Sequence, residues 1–307
     1  MSFDAGLAAV LVAMLGGAIR VSTPFIFVAL GECLTEKSGR INLGLEGTLV
    51  LGAMTAYAVS YQTGSPWAGV LAGGCAGLFL GAIHGWVCKL PRVNDIAMGI
   101  ALMSFGTAVA YFLGKGYIQP TAPRLPSLPL GAWSANPGIA SAFNVNPLFF
   151  LGAALSVAMF WAFRNTRMGL VVRMTGDSAA AAKAMGVSVD KVRLLATMAG
   201  GFMAGVGGSS LSLYYPGSWN ESLSSGQGLM AVALVIFARW NPLRCLGAAL
   251  LFGAAGALGP ALQSIGITQG YYFYNAAPYI LTLFIMIGSS GSRNAIGDAP
   301  GELSITR

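Results

Sequence analysis

Apolar runs close to twenty residues long follow one another down this chain, separated by short clusters of glycine, proline and charge. They do not alternate apolar with polar, as the strands of a membrane barrel do over about ten residues. Each run is near the length a helix needs to cross a hydrocarbon core of about 30 Å. The pattern predicts helices at 7–20, 23–35, 47–62, 67–88, 95–114, 147–163, 194–213, 227–239, 243–263 and 275–290. The expected fold is all-α and polytopic, with about ten transmembrane helices, two or three of them too short to cross alone. Between the first two, Pro24 lacks an amide donor and predicts a break or kink.

Composition carries the same message. The 307 residues are 55% hydrophobic and only 9% charged, with a mean hydropathy of +0.70. A soluble domain carries about 25% charged residues, so this chain cannot cover a water-facing surface. Long polar stretches are absent, which predicts one transmembrane domain over 1–307, with a cytoplasmic loop at 164–193 and an extracytoplasmic loop at 115–146. The start, MSFDAG, has no Lys or Arg before its apolar run. It does not read as a secretory signal peptide, and the first helix is expected to be retained.

Charge orients the bundle. With a cytoplasmic N-terminus and alternating sides, the inside receives Lys37, Arg40, Lys89, Arg92, the basic residues of 164–193, Arg239, Arg244, Arg293 and Arg307. The outside receives Arg20, Lys115 and Arg124, as the positive-inside rule requires. The net charge of +7 is therefore a topology signal. A nucleic-acid surface would need a clustered basic face interleaved with aromatics, so no nucleic-acid partner is expected. The loop 115–146 is rich in proline and reads as an extended lid or rim. Small residues recur at four-residue steps at Gly73, Gly77 and Gly81, at Gly201 and Gly205, and at Ala249, Gly253 and Ala257. This spacing lets helix backbones approach closely in lipid.

Against this background one stretch stands out. ALGECLTEKSGRINLGLEGTLVLGA, from Ala29 to Ala53, gathers Glu32, Glu36, Lys37, Arg40 and Glu46. The topology puts Glu36, Lys37 and Arg40 in a cytoplasmic turn and leaves Glu32, and marginally Glu46, at membrane depth. Ionisable groups at that depth are costly and tend to face a cavity or each other. Glu32, Asn42, Glu46, Asn94, Asp95 and Gln227 are the candidates for lining a substrate path. The plainer readings are that Glu46 and Asp95 favour helix N-termini, that Asn42 satisfies loop carbonyls, and that Glu32 pairs with Lys37 or a neighbouring helix. Trp133, Trp219, Tyr271, Tyr272 and Tyr274 fall at outer ends, where they either stack on a ring-bearing cargo or anchor the interface. Cys33, Cys75, Cys88 and Cys245 are scattered and read as packing residues rather than a metal site or disulfide. His84 stands alone and reads as a buried, hydrogen-bonded histidine.

The segment RNTRMGLVVRMTGDSAAAAKAMGVSVDKVR, 164–193, is the one long polar stretch inside. Asp177 or Ser178 can cap a short helix, Ala179 to Ala182 and Ala184 have the highest helix propensity, and Gly186 can end it in the left-handed conformation. The result is a thin, stiff peg suited to a groove on another protein.

The order TRMG, TGDSAAAAKAMGVSVDKVR, AGGFMAGVGG and GQGLMAVALVIFARWNPL, together with LGECLTEKSGRINLGLEG, resembles the permease subunits of bacterial ATP-binding cassette importers. The resemblance is to the branched-chain amino acid, ribose and nucleoside family, in its nucleoside and simple-sugar branch. It runs over about residues 22–290. Lys37 stands where the family often has Arg, and Arg40 where an apolar residue is common. The resemblance implies a type II importer permease fold in the bacterial inner membrane, moving a nucleoside, nucleobase or simple sugar inward. It assigns the coupling to an ATPase to Gly176 through Gly186, with Asp177, Ser178, Ala181, Ala182 and Lys183 in that segment. No G-x-x-x-x-G-K-[ST] loop is present to cradle ATP phosphates. The chain is expected to be non-catalytic, with no cofactor of its own and ATP–Mg on a partner ATPase. The other implied partners are a periplasmic or lipid-anchored substrate-binding protein, a second and longer related permease, and membrane lipids. The competing reading is a stand-alone ion-coupled transporter using Glu32 or Glu46. A membrane enzyme lacks its motifs here, since there is no H-E-x-x-H, no G-x-S-x-G and a single histidine.

Overall fold

The computed structural model describes residues 3–134, 140, 143–264, 266, 269–290 and 299–305. Arg293, Arg307 and part of the 115–146 loop lie outside the described residues. The helices are α1 (Phe3–Lys37), α2 (Leu45–Thr63), α3 (Pro66–Val87), α4 (Asp95–Gly114), α5 (Pro147–Asn165), α6 (Arg167–Asp177), α7 (Ala179–Ala184), α8 (Val189–Leu213), α9 (Gln227–Phe237), α10 (Pro242–Ser264), α11 (Tyr271–Asn275), α12 (Ala277–Ser290) and α13 (Gly301–Ile305). A two-residue antiparallel ladder, β1 (Leu128–Pro129) with β2 (Asn144–Val145), joins the middle of the 115–146 loop to its last residues.

Six of these helices are long and apolar enough to cross a membrane. The expected count of about ten divides differently because the predicted break at Pro24 does not occur. Pro24 sits inside the continuous helix α1. The Ser22 and Thr23 hydroxyls both donate to the Ile19 carbonyl on the preceding turn. Neither bond reaches the Arg20 carbonyl, which loses its helical donor at Pro24; packing of α1 against α8 and α10 carries the helix through the proline. One helix in place of two moves the N-terminus to the opposite face and leaves every loop from Lys37 onward on its expected side.

Helix α8 is the axis of the bundle, packed against α1, α2 and α3, while α10 and α5 pack on α1 and α4 packs on α2. The small-residue stripes make these contacts. A β-carbon on Gly77 would stand 2.1 Å from the Gly201 carbonyl oxygen, and one on Gly253 would stand 2.4 Å from that of Ala18. Backbone contact of this kind replaces the hydrophobic driving force that lipid removes. Apolar side chains fill two adjoining cores. One joins Phe25, Leu30, Leu234 and Phe252, and the other joins Tyr57, Leu80, Leu102 and Leu213.

Polar contacts define two ends. At one end Arg40 pairs with Asp95, Arg193 pairs with Glu302, and the Arg193 Nε–H donates to the Ser38 carbonyl. At the other end the Tyr57 hydroxyl donates to the Pro120 carbonyl at 2.8 Å, and Ser60 Oγ donates to that of Pro123 at 2.9 Å. Trp219 Nε1 donates to the Gly114 carbonyl, and the Arg20 guanidinium lies over the Tyr215 ring. The loop after α4 is thus a rim fastened over α2 and α8. The basic residues gather at the first end, which the positive-inside rule makes cytoplasmic.

Candidate functional site

Each charge of the Ala29–Ala53 stretch has a defined place. Glu32 is fully buried on α1 and its Oε1 accepts the Asn42 backbone N–H at 2.8 Å. Asn42 Oδ1 in turn accepts the Gly44 N–H at 3.0 Å. These two bonds fold residues 38–44 back along α1 and start α2 inside the bundle. His84, also fully buried, holds the same loop through Nε2 and the Ile41 carbonyl at 3.2 Å. Among the described residues, Glu32 forms no ion pair with Lys37. Glu36 departs from its expected place in an open turn. It is buried on the last turns of α1, where it accepts a hydrogen bond from the Trp240 indole N–H of the α9–α10 turn.

Arg40 forms an ion pair with Asp95 at 2.5 Å between Nη1 and Oδ1. Asp95 thereby joins the 38–44 loop to the first turn of α4. Asn94 is the N-cap of α4, its Oδ1 accepting the Ile96 and Ala97 N–H groups at 2.8 and 3.1 Å. Of the six path candidates, Asn94 and Asp95 therefore fasten the cytoplasmic end.

Glu46 lies deeper. Its neighbour Gly47 packs on the carbonyls of Leu102 and Met103 in the middle of α4, about 12 Å from the Asp95 level by the helical rise per residue. Its carboxylate is clasped from across the bundle. Oε1 accepts from Ser224 Oγ at 2.6 Å and from the Gly226 N–H at 3.1 Å, and Oε2 accepts from the Gly228 N–H at 2.6 Å. The last two donors are backbone groups at the start of α9 that no helical partner can satisfy. A carboxylate there is favoured by hydrogen bonding and by the helix dipole together.

This geometry places Gln227 at depth rather than at the outer head of a span. Trp219 is still fastened to Gly114 at the outer end of α4, yet Ser224 touches Glu46, so the chain descends into the bundle between them. Helix α9 then covers only the inner part, with 11 residues. Gly226, at φ +78°, makes the sharp entry that a side chain rarely adopts. Gly228 lets α9 sit directly on Glu46, since a β-carbon there would stand 2.6 Å from the Glu46 Cα. Buried Gln227 Oε1 has no hydrogen-bond partner. From α12 the Tyr279 hydroxyl donates to the Ser225 carbonyl at 2.5 Å.

Sequence reasoning missed Ser224 and Tyr279. The serine–glycine run before an apolar segment is a cap signal that identifies Ser224 as a helix-entry residue. Nothing in sequence spacing brings Tyr279 to the same loop. The outer aromatics do not form a shared wall: Trp219 is buried as an anchor, Trp133 is 75% and Tyr272 is 88% exposed. Tyr274 lies edge-on to Phe273, and the Tyr271 side chain lies outside the described residues.

The Ala-rich peg is α7, Ala179–Ala184, lying between the cap and the glycine that the sequence offers for it. Ser178, not Asp177, caps it by accepting the Ala181 N–H at 3.2 Å, and Gly186 follows it at φ +80°. Asp177 ends α6, and Gly176 is buried where α6 passes the end of α1. Ala181, Lys183 and Met185 face outward, whereas Ala182 is fully buried. Ala182 is a packing residue, and the outward face is carried by the others. What holds α7 is not legible in local sequence. Glu302 on α13 reaches back so that Oε1 accepts the Ala179 N–H at 2.8 Å while Oε2 pairs with Arg193 at 3.0 Å.

The architecture defines the class. It is a polytopic helical membrane protein with a clasped polar cluster at depth and a projecting helix on its basic, cytoplasmic side. Residues 14–290 match the family described as branched-chain amino acid transport system, permease component, and the chain belongs to that family. TsgC13 of Haloferax volcanii, named as an ABC transporter permease protein, is 34% identical over 87% of this chain and 80% of its own length. The guanosine ABC transporter permease protein NupQ of Bacillus subtilis is 30% identical over 89% of this chain and 91% of its own. The nucleoside ABC transporter permease protein NupC of Lactococcus lactis is 26% identical over 86% and 88%. The chain is thus a non-catalytic, multi-pass permease subunit. ABC permeases work with a separate ATPase, which hydrolyses ATP, and with a substrate-binding protein.

Proposed function

We propose that this permease moves a nucleoside, nucleobase or simple sugar into the cytoplasm across the bacterial inner membrane, and that the Glu46 clasp is the element of its path that opens and closes. The substrate class rests on relatives named for guanosine, for nucleosides and, in TsgB13 of Haloferax volcanii at 26% identity, for glucose. The single observation that carries the role of the clasp is the Glu46 carboxylate at depth, bonded to the free N-terminus of a short helix on a re-entrant segment. Short helices entering at mid-depth are where membrane transporters place their paths. Glu32 and Asn42 support the clasp by setting where α2 begins. Gln227 and Tyr279 supply neutral hydrogen-bonding groups that suit an uncharged, hydroxyl- or amide-bearing cargo. Relatives named as ABC transporter permeases favour ATP hydrolysis on a partner over ion coupling as the source of energy.

In this reading α7 and its flanks, Gly176 to Gly186, dock into the ATPase, which carries ATP–Mg. A second, related permease completes the path, in keeping with two Haloferax permeases, TsgB13 and TsgC13, that share a root name. A periplasmic or lipid-anchored binding protein delivers cargo to the rim formed by the 115–146 loop. The experiment is to purify the assembled transporter with its binding protein, identify the ligand that protein retains, and measure its uptake in proteoliposomes with and without ATP. A charged or lipidic ligand would overturn the substrate class, and uptake by the permease alone would overturn the division of labour.

A further inference from the structure

Beside the coupling segment lies a cavity of about 380 Å³, walled by the ends of α1, α5 and α6 and by the α9–α10 turn. Lys37, Arg164, Arg173, Arg239 and Arg244 line it together with the Trp240 ring, and no Asp or Glu does. Two cations elsewhere at this end are neutralised, Arg40 by Asp95 and Arg193 by Glu302. Among the described residues, Lys37, Arg164, Arg173 and Arg244 have no such carboxylate partner. Arg173 Nε is shielded from water and has no acceptor. Glu36, next to Lys37 in the chain, is engaged by the Trp240 indole.

The backbone is shaped to the same end. Arg239 and Trp240 both hold left-handed conformations, at φ +51° and +52°. Two consecutive side-chain-bearing residues in that region store strain, which persists where the surroundings enforce it and clusters at binding sites. Like charges crowded around one cavity repel unless an anion sits among them. Arginine forks match the oxygens of phosphate best.

We propose that this pocket binds a phosphate-bearing anion, and that its source is the headgroup of an anionic phospholipid. The surface leading to it argues for lipid. Val157 and Trp161, one helical turn apart on α5, are 55% and 59% exposed and lead down to Arg164 at the pocket edge. They offer an acyl chain an apolar track into the basic cavity. Basic pockets between helices on the cytoplasmic side are where anionic headgroups are held. Because the pocket borders α6, which carries the coupling segment, a lipid there would brace that segment against α1 and α10.

The test uses the transporter assembled with its ATPase. Retention of phosphatidylglycerol is measured by native mass spectrometry for the native protein, for Arg173→Gln/Arg244→Gln, and for the charge-matched control Lys89→Gln/Arg167→Gln, whose residues lie outside the cavity. The native and control proteins are expected to retain phosphatidylglycerol about tenfold or more better than the pocket variant, with phosphatidylcholine held equally by all three. Arg244→Gln alone, on an exposed side chain, gives a smaller loss in the same direction and guards against misfolding of the double variant. Equal retention by native and pocket variants overturns the site. Displacement of the lipid by millimolar inorganic phosphate, with a matching thermal shift, supports the anion site and overturns lipid as its source. Retention only after removal of the ATPase overturns the proposal, by assigning these cations to the ATPase interface.

Discussion

Glu46 and Gly228 are 182 positions apart in the chain and 2.6 Å apart at Oε2 and N. The contact joins the first turn of α2 to the first turn of α9, so the two elements are coupled while the clasp is closed. Replacing Glu46 by Gln keeps the shape but points an amide donor at backbone donors. Hydrogen bonds to a charged group contribute about 1.5–3 kcal/mol each. Uptake by Glu46→Gln and Glu46→Ala is expected to fall at least tenfold with unchanged membrane levels, checked by radiolabelled uptake in proteoliposomes. Gly228→Ala should match them, because its new carbon would stand 2.6 Å from the Glu46 Cα.

Glu36 would pass, from sequence, as the harmless neighbour of this carboxylate. Its burial and its bond from Trp240 make Glu36→Ala damaging as well, by leaving a buried indole donor orphaned at a cost of about 1–3 kcal/mol. The two variants should separate by kind of defect. Glu36→Ala and Trp240→Phe lower the detergent melting temperature of the assembled transporter, whereas Glu46→Gln acts mainly on uptake. Equal melting temperatures for native and Glu36→Ala protein would remove Glu36 from the structural role.

Much of this was legible beforehand, and the misses have physical causes. Apolar run length found nearly every helix because lipid imposes length directly, and α4 begins and ends where 95–114 places it. Pro24 misled because the rule for a proline break assumes water and lone helices. Here the helices packed along α1 hold it continuous through the proline. The clasp is half legible: the sequence marks Glu46 as marginally at depth and Gln227 as a path candidate at the outer head of a span, but the approach of the two through Ser224 depends on a re-entrant segment. No local periodicity encodes that. Glu302 was invisible because its partners, Ala179 and Arg193, lie more than a hundred residues upstream.

Cys88 gives a pH test of how tightly the α3–α4 turn is closed. Burial, with the Asp95 charge adding to it, pushes the thiol up to about 12. The sign is that of an acid held neutral, so thiolate forms only as pH rises toward that value and almost none is present near neutrality. Iodoacetamide labelling of Cys88, followed by peptide mass spectrometry, should stay far below that of an ordinary cysteine throughout pH 7 to about 9. Asp95→Asn, which also releases Arg40, should open the turn and raise labelling.

The coupling segment offers the sharpest separation of fold from function. Ala181 faces outward while Ala182, its neighbour, is fully buried. Ala181→Asp should therefore leave insertion and melting temperature unchanged yet abolish the ATPase stimulation that loaded binding protein produces. Ala182→Asp should fail earlier, in folding. Glu302→Ala should resemble Ala181→Asp in kind but be milder, because it frees the Ala179 N–H and unpairs Arg193 without altering the outward face. A loss of one or two charge-assisted bonds predicts a severalfold fall in stimulated ATPase activity. Full stimulation in the Ala181→Asp transporter would show that α7 does not meet the ATPase, and full stimulation in Glu302→Ala would show that α7 holds its place without the C-terminal helix.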